Sequence, residues 1–297
     1  MFAKKIVTVV AAGAVALGGL TACGGSDSKD AAAKSESHTV RIGTTDGSKK
    51  AWDVFKKKAD EAGIDLKIVD FSDFTTPNKA LSEGQLDVNL FQHLKFLAQY
   101  NVGSNDNLVP IGSTEIVPLA LFWKGHDNLD GIDGQSVAIP SDSSNQGRAI
   151  NVLKQAGLVN LKEEGLVTPT PADIDPATSK VSVTPIDAAQ TPAAYGEGKP
   201  AIINNSFLER ASIDPKSAVF QDNPDSPEAE PYINAFVTTQ ANKDNPDLAK
   251  LVELWQSPEV ELAVAEDSKG TSVAVKRSAA DLQAILARLE EAQRNSK

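Results

Sequence analysis

The sequence predicts an α/β protein built of two lobes, and three observations support this prediction. Short runs rich in β-branched residues alternate with amphipathic runs of helical period, which is the pattern of α/β folds. The chain from residue 38 onward contains roughly 260 residues, more than a single hydrophobic core usually serves. The order of the elements predicts that the chain enters a second lobe near residue 122 and returns near residue 240, so that two crossings form a hinge.

The first predicted lobe opens with a strand at 39–43 and a helix over 49–63. In that helix Trp52 and Phe55 fall on one apolar face, and Gly63 supplies the stop. The elements that follow are a strand, a short helix and three more strands, at 65–71, 77–84, 86–91, 108–112 and 115–123. The last of these strands is long enough to run from one lobe into the other.

The second predicted lobe opens with a strand at 136–140 and a helix that starts near Asn145. After a connection rich in proline and threonine, three further strands are predicted at 181–186, 200–204 and 233–239. Two helices that begin near Pro246 and Pro258 then belong to the returning chain.

The C-terminal segment predicts one further amphipathic helix, which we expect to pack on a lobe. Ser278 is a suitable N-cap, and four apolar residues after it share one helical stripe: Leu282, Ile285, Leu286 and Leu289. The complete assignment gives a first lobe of residues 38–121 and 240–297 and a second lobe of residues 122–239.

Residues 1–22 have the pattern of an export signal. Two lysines precede an apolar run over 6–19, which is too short to be a permanent membrane span. The run leads into LTAC at 20–23, which resembles the lipobox of bacterial lipoproteins, where the signal is cut before an acylated cysteine. Cys23 is the only cysteine, so it cannot form an internal disulfide, and lipidation would explain this exported thiol. Two acyl chains would anchor the protein durably in the lipid bilayer.

Composition defines the tether and excludes some partners. Residues 23–37, beginning at the lipidated Cys23, contain no large apolar side chain and are expected to form a flexible tether. The formal net charge is −11, with no basic cluster to offset it, which argues against nucleic acid as a partner. The expected location is the extracytoplasmic face of the cell membrane.

Five stretches carry a resemblance to a known family. They are DFTTPNKAL (73–81), GQLDVNLFQH (84–93), VAIPSDSSNQGRA (137–149), PAIINN (200–205) and PYINAFV (231–237). The chain resembles the NlpA lipoprotein family, the methionine-binding lipoproteins of ABC importers, from about residue 39 to 270. The resemblance implies a two-lobed periplasmic-binding-protein fold of the type II kind, closing at its hinge on a free amino acid. It also implies an ABC permease and its ATPase as partners, and neither catalysis nor a cofactor.

Arg148 is the candidate partner for a ligand carboxylate. A free amino acid carries a carboxylate and an ammonium group, and neither enters a closed cleft cheaply without a partner. Arg148 follows Asn145 and Gly147 in a segment between a strand end and a helix start, where a guanidinium could grip a carboxylate with two hydrogen bonds. We expect Arg148 to have no obligatory partner in the unliganded protein. The alternative is an ordinary arginine in a capped loop.

The remaining candidates follow from side-chain chemistry and from the resemblance. Asn204 and Asn234 end apolar strands, and the family binds the amino acid's backbone groups at the matching positions. A thioether side chain favours an aromatic lining, which four residues could supply: Phe74, Phe91, His93 and Phe96. The family often has tyrosine in place of two of these phenylalanines, Phe74 and Phe96. With Arg148 and Asn145, these residues form the predicted site for L-methionine or a close relative. The alternative for His93 is that it caps a helix within a phenylalanine core.

Other functions find less support in the sequence. A serine hydrolase would need G-x-S-x-G, and GQSVA at 134–138 lacks the last glycine. His38, His93 and His126 are dispersed along the chain rather than clustered as metal ligands. Phosphate-binding glycine-rich motifs are missing. The alternatives that stay open are a receptor for another small amino acid or organic anion, and a surface lipoprotein with no transport function.

Overall fold

The computed structural model describes residues 38–295. The predicted signal peptide, Cys23 and the predicted tether lie outside the described residues. Within residues 38–295, none of the helices combines the length and the apolar character needed to cross a membrane.

The described chain contains eleven strands and eight α-helices. The strands are β1 (His38–Thr44), β2 (Ile64–Asp70), β3 (Val88–Asn89), β4 (Val109–Ile116), β5 (Ala120–Phe122), β6 (Ser136–Pro140), β7 (Ser182–Ile186), β8 (Ala201–Ile203), β9 (Phe220–Gln221), β10 (Ile233–Thr238) and β11 (Val273–Ala274). The helices are α1 (Lys50–Glu61), α2 (Pro77–Ser82), α3 (Leu94–Ser104), α4 (Ser143–Gln155), α5 (Thr191–Gly196), α6 (Pro246–Trp255), α7 (Pro258–Asp267) and α8 (Ala279–Asn295).

The first lobe is built on a six-stranded sheet in the order β11-β4-β10-β3-β1-β2. β1 runs parallel to β2 and β3, whereas β10 pairs antiparallel with β3 and β4. The apolar face predicted for α1 is buried, and the ring centroids of Trp52 and Phe55 each lie 5.0 Å from that of Trp255. Aromatic packing of this kind joins α1 to α6 over the sheet.

The second lobe is built on a five-stranded sheet in the order β7-β6-β8-β5-β9. β6 is parallel to β7 and β8, and β5 is antiparallel to β8 and β9. The N-cap of α4 is Asp142, whose side chain accepts a hydrogen bond from the Asn145 N–H. The buried residues of α4, including Ile150 and Leu153, pack into the core of this lobe. Each lobe therefore has its own hydrophobic core.

The predicted fold of two lobes with a double-crossing hinge is confirmed, with corrected boundaries. The first crossing is residues 117–119, between β4 of the first sheet and β5 of the second. The second crossing is residues 222–232, between β9 and β10. Because β10 pairs with β3 and β4, the predicted boundary between 239 and 240 falls too late. The segment alternates apolar residues that suit either sheet, so its sequence did not show which sheet it would join.

One predicted helix is confirmed, and one helix of the structure was not predicted from the sequence. The predicted C-terminal helix is confirmed as α8: the Ser278 hydroxyl accepts a hydrogen bond from the Asp281 N–H at 3.1 Å, and Leu282 and Leu286 are buried in the first lobe. α3 was not predicted as a helix. Its N-cap is His93, whose ring accepts the Phe96 N–H, so the alternative interpretation of His93 as a helix cap is confirmed.

We expect Gly112→Ala to destabilise the first lobe by about 1–3 kcal/mol, because a Cβ at this position of β4 would meet Val252 Cγ1 of α6 at 2.2 Å. The control is Gly103→Ala in α3, where the added Cβ meets nothing within 4 Å. That control should leave stability unchanged or raise it by up to about 1 kcal/mol. Urea denaturation of both variants measures the difference. Equal stability of the two variants would contradict the close packing of α6 on β4.

Candidate functional site

A cavity lies between the two lobes at the crossings. The space between its lining residues measures about 960 Å³, part of which is open to solvent. All eight residues predicted as a binding site line this one cavity: Phe74, Phe91, His93, Phe96, Asn145, Arg148, Asn204 and Asn234. The structure brings them together, and their contact with a ligand stays a prediction.

One end of the cavity is aromatic. The ring centroids of Phe91 and Phe96 are 5.7 Å apart, and the Phe74 ring lies 6.1 Å from each of them. Behind Phe74 packs the fully buried Phe207, at 4.8 Å between centroids, which the sequence did not single out. None of these four side chains carries a polar atom, so this end of the cavity offers ring faces and edges only.

His93 joins the aromatic end to a polar end. Its Nδ1 accepts the Phe96 N–H at 3.1 Å, so the proton of the neutral ring sits on Nε2, which donates to Asn145 Oδ1 at 3.3 Å. Burial, followed by the positive charge of Arg148, lowers the pKa of His93 to about 3. The imidazole is therefore neutral and fixed in one tautomer.

Two asparagines extend this hydrogen-bond chain and leave one acceptor unused. Asn145 Nδ2 donates to Asp142, and Asn204 Nδ2 donates to Asn145 Oδ1 at 3.1 Å. Asn204 Oδ1 is buried and has no hydrogen-bond partner among the described residues. A buried carbonyl oxygen without a partner is costly, and a hydrogen-bond donor on a ligand bound in the cavity would satisfy it.

Arg148 differs from the sequence prediction in place and in pairing. It is the sixth residue of α4, so it lies in the second turn and not at the helix start. Its Nε and Nη2 donate to the two carboxylate oxygens of Asp222 at 2.7 and 3.2 Å, and Nη2 also donates to the Val117 carbonyl at 2.9 Å. The guanidinium carbon lies 4.0 Å from the ring centroid of Tyr232. The expectation that Arg148 has no partner in the unliganded protein is therefore wrong.

This pairing changes how Arg148 could meet a carboxylate. Among the described residues, its Nη1 is the guanidinium nitrogen with no hydrogen-bond partner. A ligand carboxylate can accept from Nη1, whereas the fork of Nε and Nη2 is occupied by Asp222. Removing Arg148 would also leave the carboxylate of Asp222, 13% exposed, without its cation, so an Arg148 variant would affect folding as well as binding.

Asn234 completes the predicted set from the side of the first lobe. It lies in β10, and its Nδ2 donates to the Glu115 carbonyl at 3.2 Å. Its backbone forms an isolated bridge with His93. β10 therefore positions Asn234 beside His93, the N-cap residue of α3.

The sequence did not identify a second polar cluster in the same cavity. Lys49 Nζ binds Asp46 at 2.8 Å and reaches across the cleft to Asn205 Oδ1 at 2.7 Å. Burial alone would lower the pKa of Lys49, but Asp46 and the nearby Glu115 outweigh it and raise that pKa. Lys49 is the N-cap residue of α1 and lies in a stretch rich in lysine, a composition typical of a solvent-exposed surface.

Glu115 is the unusual acid of this cluster. Burial raises its pKa to about 7, against a smaller opposing effect of Lys49. The carboxyl group of Glu115 is therefore partly protonated near neutral pH.

Within residues 38–295, no set of three or more His, Cys, Asp or Glu side chains is arranged to hold a metal ion.

Two lobes, two crossings and an interlobe cavity that combines apolar rings with unused polar atoms define a substrate-binding protein with the periplasmic-binding-protein fold. The family profile of the NlpA lipoprotein matches residues 40–276, and the chain belongs to this family.

Named relatives agree with this assignment. The D-methionine-binding lipoprotein MetQ of Salmonella typhi is 33% identical over 278 residues, covering 91% of this chain and 98% of the relative. The substrate binding protein of a methionine transporter from Streptococcus pneumoniae superposes with a TM-score of 0.74 at 28% identity, covering 80% of this chain and 95% of that one. A nutrient binding protein from Burkholderia cenocepacia, solved bound to methionine, gives a TM-score of 0.72 at 31% identity and covers 79% of this chain and 99% of its own.

Glu115→Gln is expected to change how stability depends on pH. Because the pKa of Glu115 is raised from 4.5 to about 7, the folded protein binds this proton more tightly than the unfolded chain does. The unmodified protein therefore loses stability, relative to the variant, as pH rises from 4.5 through about 7, by at most about 3 kcal/mol. Urea denaturation at about pH 5 and about pH 8 measures the difference. A difference independent of pH would show that Glu115 is not held in its neutral form.

Proposed function

We propose that this protein captures free methionine, the L-enantiomer or a close relative, in the interlobe cavity and delivers it to an ABC permease driven by its ATPase. The observation that carries the proposal is one cavity with two unused polar groups beside an aromatic end. These groups are Arg148 Nη1, a charged donor, and Asn204 Oδ1, a buried acceptor.

A zwitterionic amino acid fits these two groups. Its carboxylate would accept from Arg148 Nη1, and its ammonium would donate to Asn204 Oδ1. Each contact gives a buried charged group of the ligand a partner, without which entry into the cleft would be very unfavourable. Asn145 and His93 already hydrogen-bond each other, so they shape this end of the cavity rather than offer free groups.

The aromatic end fits the ligand side chain. A thioether near ring edges gains about 0.3–1.5 kcal/mol per contact, and Phe74, Phe91 and Phe96 present such rings. A side chain that carries an amide or a charge would have no hydrogen-bond partner among these rings. The site therefore favours an apolar, flexible side chain of methionine length.

The transport role rests on the relatives. One is named as the substrate-binding protein of a methionine transporter and another was solved with methionine bound. In this role the protein binds and releases its ligand without chemical change.

Calorimetry on the unmodified protein is expected to show that L-methionine and selenomethionine bind about equally. Norleucine should bind more weakly by roughly one or two sulfur–ring contacts. Methionine methyl ester should bind at least about tenfold more weakly, because it offers no carboxylate to Arg148. Changing the ligand leaves the Arg148–Asp222 pair intact, which a change of Arg148 would not.

D-methionine belongs in the same series, since a relative is named for it. Tighter binding of glutamine or histidine than of either methionine enantiomer would overturn the proposed specificity. Binding of no amino acid at all would favour a surface lipoprotein without a transport function.

We also propose that Cys23 anchors the protein on the extracytoplasmic face of the cell membrane. The family is one of lipoproteins, and LTAC at 20–23 matches the lipobox pattern. The bilayer would hold the binding domain near its permease through two acyl chains.

Cys23→Ser is expected to move the protein from the membrane fraction to the soluble fraction, because no other cysteine is present to be acylated. Methionine affinity should not change, since every cavity residue lies between Asp46 and Ser272. Fractionation followed by a carbonate wash measures the first effect, and calorimetry the second. A variant that stays in the washed membrane would refute the anchor.

A further inference from the structure

Asp222 connects the cavity arginine to both crossings of the hinge. It is the first residue after β9, where the second crossing starts. Its carboxylate accepts from Nε and Nη2 of Arg148 and also from the Leu119 N–H at 2.9 Å in the first crossing. Its own N–H donates to the Leu119 carbonyl at 3.2 Å. Asp222 itself is not among the residues that line the cavity.

We propose that Asp222 positions Arg148 and makes the site selective for zwitterionic amino acids over anions of the same shape. This inference rests on the proposed function, because it assumes that Arg148 meets a ligand carboxylate. Asp222 acts through Arg148 and would not touch the ligand.

The positioning follows from the hydrogen bonds. Asp222 and the Val117 carbonyl together occupy every N–H of Nε and Nη2, which leaves Nη1 as the part of the guanidinium free to reach the cavity. The Tyr232 ring lies against the guanidinium at 4.0 Å and limits its tilt. With both side chains at 13% exposure or less, solvent competes little with these contacts.

The selectivity follows from the charges around the guanidinium. Asp222 is the anion paired with Arg148. Lys95 is a second cation near the guanidinium. Its Nζ lies 5.8 Å from the centroid of the same Tyr232 ring and donates a hydrogen bond to the Val167 carbonyl. His93 is neutral and adds no charge. Without Asp222, Arg148 would have no paired anion, and its charge and that of the nearby Lys95 would favour a singly charged anion more than a zwitterion.

The test is Asp222→Asn, which keeps the size of the side chain and removes its charge. Calorimetry gives the affinities of L-methionine and of 2-hydroxy-4-(methylthio)butanoate, in which a hydroxyl replaces the ammonium group. We expect the ratio of methionine affinity to hydroxy-acid affinity to fall at least about tenfold in the variant. The matched control is Asp130→Asn, an exposed aspartate of the second lobe that does not line the cavity, and it should leave the ratio unchanged.

A purely structural role of Asp222 would weaken both ligands by the same factor, and an unchanged ratio would therefore overturn the inference. Asp222→Glu retains the charge and should restore the original ratio even if both affinities are lower. Should Asp222→Asn fail to fold, Asp222→Ser makes the same comparison, since its hydroxyl is also uncharged. If the unmodified protein does not bind methionine, the proposed function fails, and the ratio is measured with the amino acid that binds best and its hydroxy acid.

Discussion

The ion pair between Arg148 and Asp222 is the interaction on which the site and the hinge both depend. Two charges at most 13% exposed are stable only with each other and with further hydrogen bonds, which Val117 and Leu119 supply. These two residues belong to the first crossing, and Asp222 belongs to the second. The guanidinium is thus held by residues of both segments that connect the lobes. A ligand that contacts Arg148 is therefore coupled to the hinge through one shared side chain.

His93, the N-cap residue of α3, likewise connects a structural contact to the cavity, from the side of the first lobe. By accepting the Phe96 N–H, the imidazole begins α3 and places Phe96 against Phe91, while its Nε2 proton holds Asn145 in the other lobe. Capping and site formation are consequently one arrangement, not two competing explanations of the same residue. The hydrogen bond that caps α3 therefore also orients the imidazole that lines the cavity.

Local periodicity in the sequence predicted the α/β class and most elements. The family resemblance, which short motifs of adjacent residues carry, supplied much of the reason to choose the eight residues that line one cavity. The sequence did not predict what depends on contacts between distant segments. Asp222 lies 74 residues from Arg148 and follows a short strand in QDNPD, a stretch that reads as a turn. Lys49 binds Asn205 from 156 residues away. β10 joined the first sheet because of its partners, and its own alternation of apolar residues fitted either sheet.

The contacts that hold the lobes together bear on how a ligand could close them. Lys269 meets Asp214 at 2.7 Å and Arg210 meets Asp70 at 3.7 Å, but these pairs are largely exposed, and such pairs stabilise a protein by at most about 1 kcal/mol each. The contact of Lys49 with Asn205 is more buried, yet it joins a cation to an amide and not to an acid. Asn204 Oδ1 lies buried without a hydrogen-bond partner among the described residues, which disfavours this arrangement in the absence of a ligand. The Phe74–Phe207 ring contact and the His93–Asn145 hydrogen bond also join the two lobes. A ligand that supplies the missing donor to Asn204 would add to these contacts and would shift the equilibrium towards the closed form by its own differential affinity.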